Sequence, residues 1–156
     1  MATQTRPELG NFSSIVCFKA VITGMEDALG EKATAIAPIA AGRARGKKVA
    51  DELGLAGSQI SLDEAAAKLG AALGVQGTCL CKIEKIVEDK DKIKVYTAET
   101  VCSAGEPQGA SRSCTFTLGA VWGALEQLIG KRLQGKHTES VLRGGSHNVF
   151  EFTQLG

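Results

Sequence analysis

The sequence has few aromatic residues and no long apolar run, and each scarcity excludes a class of protein. Phe, Trp and Tyr make up 4% of its 156 residues, so Ala, Leu, Ile and Val must supply most of the core. Its apolar segments are interrupted by glycine, lysine or glutamate before the ~20 residues needed to cross a bilayer. Residues 1–6 lack the charged start and apolar run of a secretory signal. We therefore expect a soluble cytoplasmic protein without a transmembrane segment.

The chain also lacks an excess of charge. Eighteen Lys and Arg residues face 17 Asp and Glu residues, so no strong field is available to attract nucleic acid or an anionic membrane. With 44% hydrophobic and 22% charged residues, the composition is that of a folded globular protein. Its length fits one domain. We expect a flexible arm at residues 1–11 and a single domain at residues 12–156.

Motifs of catalysis and of metal binding are missing as well. The five cysteines form no C-x-x-C pair, and their odd number is typical of free thiols in a reducing compartment. Cys79 and Cys81 are expected to share one face of a strand as packed thiols. With His137 and His147 as the two histidines and no G-x-S-x-G motif, the sequence does not favour nucleophilic catalysis. The sequence predicts a protein that is not an enzyme and has no cofactor.

A basic cluster in the first half superficially resembles a phosphate-binding loop. The segment GRARGKK at residues 42–48 is one residue short between its glycines and has no Ser or Thr after the lysine pair. It also lies within a helical pattern. Its Arg43, Arg45, Lys47 and Lys48 are interpreted as a solvated helix face, with contact to an acidic partner or lipid headgroup as the less favoured alternative.

Periodicity predicts the order of the elements. Apolar residues spaced by three or four indicate helices over residues 24–54, 61–74 and 117–129, with Pro38 kinking or dividing the first. Alternation with period two indicates hairpins over residues 79–102 and 133–154. Residues 12–23 are expected to be buried, although their pattern does not decide between helix and strand. The order predicts an α+β domain with an antiparallel four-stranded sheet from two hairpins, covered by helices on one face.

The last third carries a spaced set of residues that resembles a known family. The set consists of Cys114, Gly119, Gly123, Gly130 and Glu139, followed by Gly144-Gly145 and Phe150-x-Phe152. This arrangement resembles the 4-vinyl-reductase, or hydrocarbon-binding, domain, to which the TRAPP tethering-complex small subunits are related. The resemblance spans about residues 24–154. It implies an α+β fold that dimerises through helices and encloses an apolar pocket.

The chain departs from the ligand set of the family's metal-binding members. In those relatives two further cysteines follow the glutamate, whereas here Leu142 and Phe150 stand at these positions. Cys114 and Glu139, even with His137, make an incomplete zinc site. We therefore expect no bound metal.

The second hairpin gives the same residues another meaning. A two-residue turn at Gly144-Gly145 would place Glu139 opposite Phe150 and His137 opposite Phe152. That face is either partly solvated, or its polar groups are handles in an apolar pocket. The predicted ligand-binding residues are Cys114, Trp122, His137, Glu139, Phe150 and Phe152.

The favoured function is a dimeric, non-catalytic module that holds an apolar small molecule, a lipid chain or a tetrapyrrole-like ligand. The alternative is a ligand-free assembly protein that dimerises through small residues such as Gly42 and Gly46. A reductase of a tetrapyrrole vinyl group is less favoured, because no G-x-G-x-x-G dinucleotide motif is present.

Overall fold

The computed structural model describes residues 6–156. Residues 1–5 of the predicted arm lie outside the described residues, while residues 7–11 form turns. No helix within residues 6–156 is both long enough and apolar enough to cross a bilayer.

Two helices occupy the first third of the chain and meet at a glycine. Helix α1 spans Ile15–Leu29 and begins at Ser14, whose side chain accepts a hydrogen bond from the amide of Val16. Helix α2 spans Glu31–Glu52. Gly30 separates them with a φ of 83°, a left-handed backbone conformation that glycine adopts without steric cost.

This arrangement corrects three expectations. The helical region begins at Ile15, ahead of the predicted residue 24, and it divides at Gly30, whereas Pro38 lies inside α2. The segment 12–23, expected to be buried, is helical from Ile15 onward, and within the described structure α1 contains no buried residue. An apolar sequence pattern does not distinguish a helix that is buried in the core of the domain from one that remains partly exposed at the surface.

The predicted sheet is confirmed. Helix α3 spans Leu62–Leu73, followed by strands β1 (Lys82–Asp89) and β2 (Lys92–Ala98), helix α4 (Phe116–Ile129), and strands β3 (Leu133–Glu139) and β4 (Asn148–Gln154). The four strands pair in the antiparallel order β1-β2-β4-β3. The helices lie on one face, with α4 packed between the sheet and α2. The result is the α+β architecture expected from the sequence.

Helices α2 and α4 approach each other through glycines. A Cβ at Gly42 would overlap the carbonyl oxygen of Phe116, and one at Gly46 would overlap that of Ala120. From the other side, a Cβ at Gly119 or Gly123 would overlap the backbone of α2. Gly42 and Gly46 are therefore used within the chain, which corrects the expectation that they form the surface for a second subunit.

The cysteines differ from the prediction of free, packed thiols. Cys102 and Cys114 form a disulfide, with their Cα atoms 5.2 Å apart. Cys17 and Cys79 are exposed and free, and Cys81 is buried. Because β1 begins at Lys82 and Cys79 has a φ of 53°, Cys79 and Cys81 do not share a strand face. Spacing alone does not reveal a disulfide that closes a single loop, here the one between residues 98 and 116.

Candidate functional site

A cleft of about 510 Å³ opens between α1 and the rest of the domain. One wall consists of Phe12, Ile15 and Phe18, at and just before the start of α1. The opposite wall consists of Leu73, Leu80, Val101 and Phe116, from the end of α3, two loops and the start of α4. These seven side chains are apolar, and the volume lies in the 300–1,000 Å³ range of small-molecule sites.

The first wall is held by an aromatic contact and is otherwise open. The rings of Phe18 and Phe116 meet edge to face, with centroids 5.3 Å apart. Phe12 is 67% exposed and Ile15 is 42% exposed, although both line the cleft. Burial of such exposed apolar side chains by a ligand removes them from water, which favours binding.

The second wall is fixed by backbone hydrogen bonds. The amides of Leu80 and Cys81 both donate to the carbonyl of Leu73, and the amide of Cys79 donates to that of Gly74. The loop after α3 is thereby tied to the end of that helix. The wall it forms is pre-formed rather than assembled around a ligand.

An ion-pair network holds α1 to the loop between β2 and α4. Lys19 pairs with Glu106 at 2.8 Å, and Arg112 contacts Glu106 at 2.9 Å and Glu26 at 2.5 Å. The charge-assisted hydrogen bond from Lys19, together with the Arg112 charge, outweighs desolvation and holds the pKa of Glu106 below its usual value. The same loop is closed by the Cys102–Cys114 disulfide, next to the cleft residue Val101. The position of the α1 wall therefore depends on this loop.

The six predicted ligand-binding residues lie elsewhere. None of them is among the described residues that line the cleft. Cys114, Trp122, Phe150 and Phe152 belong to the buried core. Glu139 is exposed at the end of β3, and His137 is half-buried. That these six residues contact a ligand stays a prediction from the sequence.

The register of the second hairpin also differs from the prediction. His137 lies opposite Phe150 and Glu139 opposite Val149, with an irregularity between His137 and Glu139. Residues Val141–Arg143 form a 3₁₀ turn before Gly144, so the connection is longer than a two-residue turn. The predicted pairing of Glu139 with Phe150 is therefore wrong, and Glu139 does not share the phenylalanine face.

His137 contacts other residues of the domain and does not face the cleft. Its ring packs edge to face on Phe150 at 5.3 Å, and the amide of Cys114 donates a hydrogen bond of 3.2 Å to Nδ1. Nε2 has no hydrogen-bond partner among the described residues. Burial, aided by the charge of Arg143, lowers the pKa of His137. The neutral imidazole is thus favoured, with Nδ1 as an acceptor.

A buried carboxylate that the sequence did not single out connects three elements. Glu126 of α4 is 7% exposed and accepts hydrogen bonds from Arg43 of α2, from the indole of Trp122 and from the amide of Leu133. The Arg43 guanidinium also lies over the Trp122 ring, 4.5 Å from its centroid. Burial raises the pKa of Glu126, but the bonds from Arg43 and Leu133 outweigh it, so the pKa lies below its usual value.

The basic cluster of α2 therefore divides into different roles. Arg43 is bound to Glu126, whereas Arg45 lines the cleft. On a helix, residues two positions apart point to different sides, a spacing that would have suggested the division.

Within residues 6–156 no group of three or more His, Cys, Asp or Glu side chains is placed to hold a metal ion. Burial raises the pKa of the Cys81 thiol to about 12, so this cysteine stays protonated and unreactive.

No family model matches the sequence, and no curated protein matches it in sequence. In structure the chain is similar to the phenol-responsive sensory domain of the transcription activator PoxR, solved with phenol, with a TM-score of 0.70. The two are 14% identical, and the match covers 92% of this chain and 76% of that chain.

A second similar structure is trafficking protein particle complex subunit 3 from Naegleria fowleri, covalently bound to palmitic acid. Its TM-score is 0.56 and its identity 13%, with 91% of this chain and 93% of that chain covered. At such identities the likeness concerns the fold. It agrees with the family resemblance seen in the sequence: the chain has the fold shared by a phenol-sensing domain and a TRAPP subunit.

Proposed function

We propose that this protein is a non-catalytic binding module that holds an apolar small molecule or lipid chain in the cleft between α1 and the loop after α3. The observation that carries the proposal is the cleft itself, about 510 Å³ in volume and walled by apolar side chains. Exposed apolar side chains gathered in one concave site are a common mark of ligand binding.

The similar structures support a ligand-binding role. One was solved with phenol and the other carries palmitic acid, so this fold accommodates both a small aromatic molecule and a long acyl chain. The cleft volume in this chain is compatible with either size of ligand.

Placing a charge on the cleft wall tests the proposal. Ile15→Glu puts a carboxylate into the cleft, and we expect it to weaken binding of the neutral dye Nile red at least tenfold, because a charge in an apolar site is costly. Ala20→Glu is the control, since Ala20 is exposed on the same helix and does not line the cleft. The measurement is a fluorescence titration, supported by native mass spectrometry of freshly purified protein.

Two results would contradict this function. Wild-type protein that neither retains an apolar molecule on purification nor binds the dye has no functional cleft. Equal loss of affinity in the two variants would show that the dye binds α1 outside the cleft.

We further propose that the protein is a homodimer whose contact includes exposed apolar side chains of α1 and of the start of α2. Val16, Val21, Leu29 and Ile36 are all 60% or more exposed in the single chain. If dimerisation alone were the function, the protein would be a ligand-free assembly component. Light scattering over a range of concentrations tests for the dimer, and the dye titration tests whether the dimer also binds a ligand. A monomer at every concentration would contradict the dimer.

A further inference from the structure

The cleft has an uneven distribution of charge. Among the described residues that line it, Arg45 is the one that carries a charge, and the remaining polar ones are Ser13, Thr78 and Cys79. Arg45 belongs to α2, the helix whose glycines lock it against α4. Its guanidinium is therefore attached to a rigid element at the edge of an apolar volume.

The contacts of Arg45 leave its hydrogen-bonding capacity largely unused. Within the described chain its guanidinium makes one ionic contact, 3.6 Å from the carboxylate of Glu52, and no hydrogen bond. The side chains of this pair are 38% and 51% exposed, and pairs so open to water are weak. A guanidinium has five N–H donors in a planar fork that matches a carboxylate.

Arg43 shows what a structural arginine looks like in this protein. It reaches both oxygens of the buried Glu126 at 2.9 Å and stacks over Trp122. Arg45, two residues away, has no comparable internal partner among the described residues and lines the cleft instead. The contrast favours a ligand as the partner of Arg45.

We propose that the ligand is a long-chain carboxylic acid, whose carboxylate pairs with Arg45 and whose hydrocarbon chain lies along Leu73, Leu80, Val101 and Phe116. This inference rests on the proposed function, because it assigns the polar end of the ligand in the same cleft. The carboxylate displaces the weak contact to Glu52 and forms charge-assisted hydrogen bonds with the guanidinium. The head group thus gives orientation, and the apolar walls give most of the affinity.

The test compares two ligands that differ in the head group. Dodecanoate and 1-dodecanol, each below its aggregation concentration, are titrated against Nile red in wild-type protein, in Arg45→Gln and in Lys48→Gln. Lys48 is the matched control because it is exposed on the same helix and does not line the cleft. We expect wild-type protein and Lys48→Gln to prefer dodecanoate by about tenfold, and Arg45→Gln to bind both ligands with similar affinity.

Salt dependence provides a second measurement that needs no variant. The preference for dodecanoate should shrink as salt is raised, because the head-group pair is partly exposed, while binding of dodecanol should not weaken. Equal affinities in wild-type protein, or a preference that survives Arg45→Gln, would overturn the assignment of Arg45 while leaving the apolar cleft in place. Failure of both ligands to bind would overturn the assignment together with the proposed function.

Discussion

Glu126 illustrates how one side chain holds three elements together. Its carboxylate accepts from Arg43, Trp122 and Leu133, so its removal leaves several donors without a partner in the core. Glu126→Gln keeps the size but removes the charge, and we expect a loss of about 1.5–3 kcal/mol in the free energy of unfolding. Urea denaturation measures it. Glu52→Gln, at an exposed pair, should change stability by less than about 0.5 kcal/mol, and equal effects would contradict the role of Glu126.

The lowered pKa values of His137 and Glu126 determine how the stability of the fold is expected to depend on pH. Both have a folded-state pKa below the usual value of 6.5 or 4.5, so in each case the unfolded chain takes up the proton first as the pH falls. The His137 contribution is complete above pH 6.5 and is lost as the pH falls from there toward its folded pKa. The Glu126 contribution is lost in the same way below pH 4.5.

Unfolding by urea between pH 7.5 and pH 5 isolates the histidine. We expect wild-type protein to lose stability over this interval and His137→Gln to lose less, because glutamine does not titrate. A slope unchanged in His137→Gln would show that His137 is not the group responsible.

At the scale of elements, the contact between α2 and α4 is made by backbone against backbone. A methyl group at Gly46 would overlap the carbonyl of Ala120. The overlapping atoms belong to the helix backbone, which cannot move aside as the end of a flexible side chain could. Gly46→Ala should therefore destabilise the fold by about 3 kcal/mol or more, at the upper end of overpacking effects. The measurement is thermal or urea unfolding followed by circular dichroism.

Gly24 in α1 is the control for this substitution. Apart from its chain neighbours and the adjacent backbone of its own helix, no described atom lies within 4 Å of the position where its Cβ would be, and its helical backbone suits alanine. Gly24→Ala should be neutral or stabilising by up to about 1 kcal/mol, because alanine favours the helix. Two alanine variants with the same stability would contradict the close packing of α2 on α4.

The disulfide predicts the behaviour of the loop between β2 and α4. Cys102 and Cys114 are separated by 12 residues, and closing a loop of this length contributes about 2–3 kcal/mol. Cys102→Ser should lower stability by this amount, whereas Cys17→Ser at an exposed free thiol should not. Thiol titration of the denatured, unreduced protein should find three thiols, and five would contradict the disulfide. Disulfides are rare in the cytosol, so this measurement also bears on the predicted cytoplasmic location.

The sequence predicted those elements whose periodicity was long and whose ends carried clear signals. Ser61 begins α3 by accepting a hydrogen bond from the amide of Glu64, and Gly130 ends α4 in the left-handed conformation. The two helices lie within a residue of the ranges predicted for them, 61–74 and 117–129. The second hairpin was placed correctly, but its register was wrong because a 3₁₀ turn follows β3. Local patterns do not report such an insertion. It shifted His137 by two positions along β4, which keeps it on the phenylalanine face, and Glu139 by one position, which places it on the other face.

At the scale of the whole molecule, the site was harder to predict than the fold. The cleft combines residues from five separate segments between Phe12 and Phe116, and each segment has an unremarkable sequence. Family-like motifs in the last third drew attention to Trp122 and Phe150, which the structure places in the core. Residues that fill a core and residues that line a cleft have the same apolar character, so three-dimensional placement is needed to separate them.

The attachment of α1 also determines how a molecule could enter. Its 15 residues include none that is buried in the described chain, while α2 is locked on α4. An element with so little buried area can detach locally at a small fraction of the free energy of global unfolding. Entry and escape would then follow the kinetics of α1 alone, on a timescale of microseconds to milliseconds, while the lifetime of the folded state is set by the rest of the domain. Residence time in the cleft and durability of the fold can therefore be tuned independently.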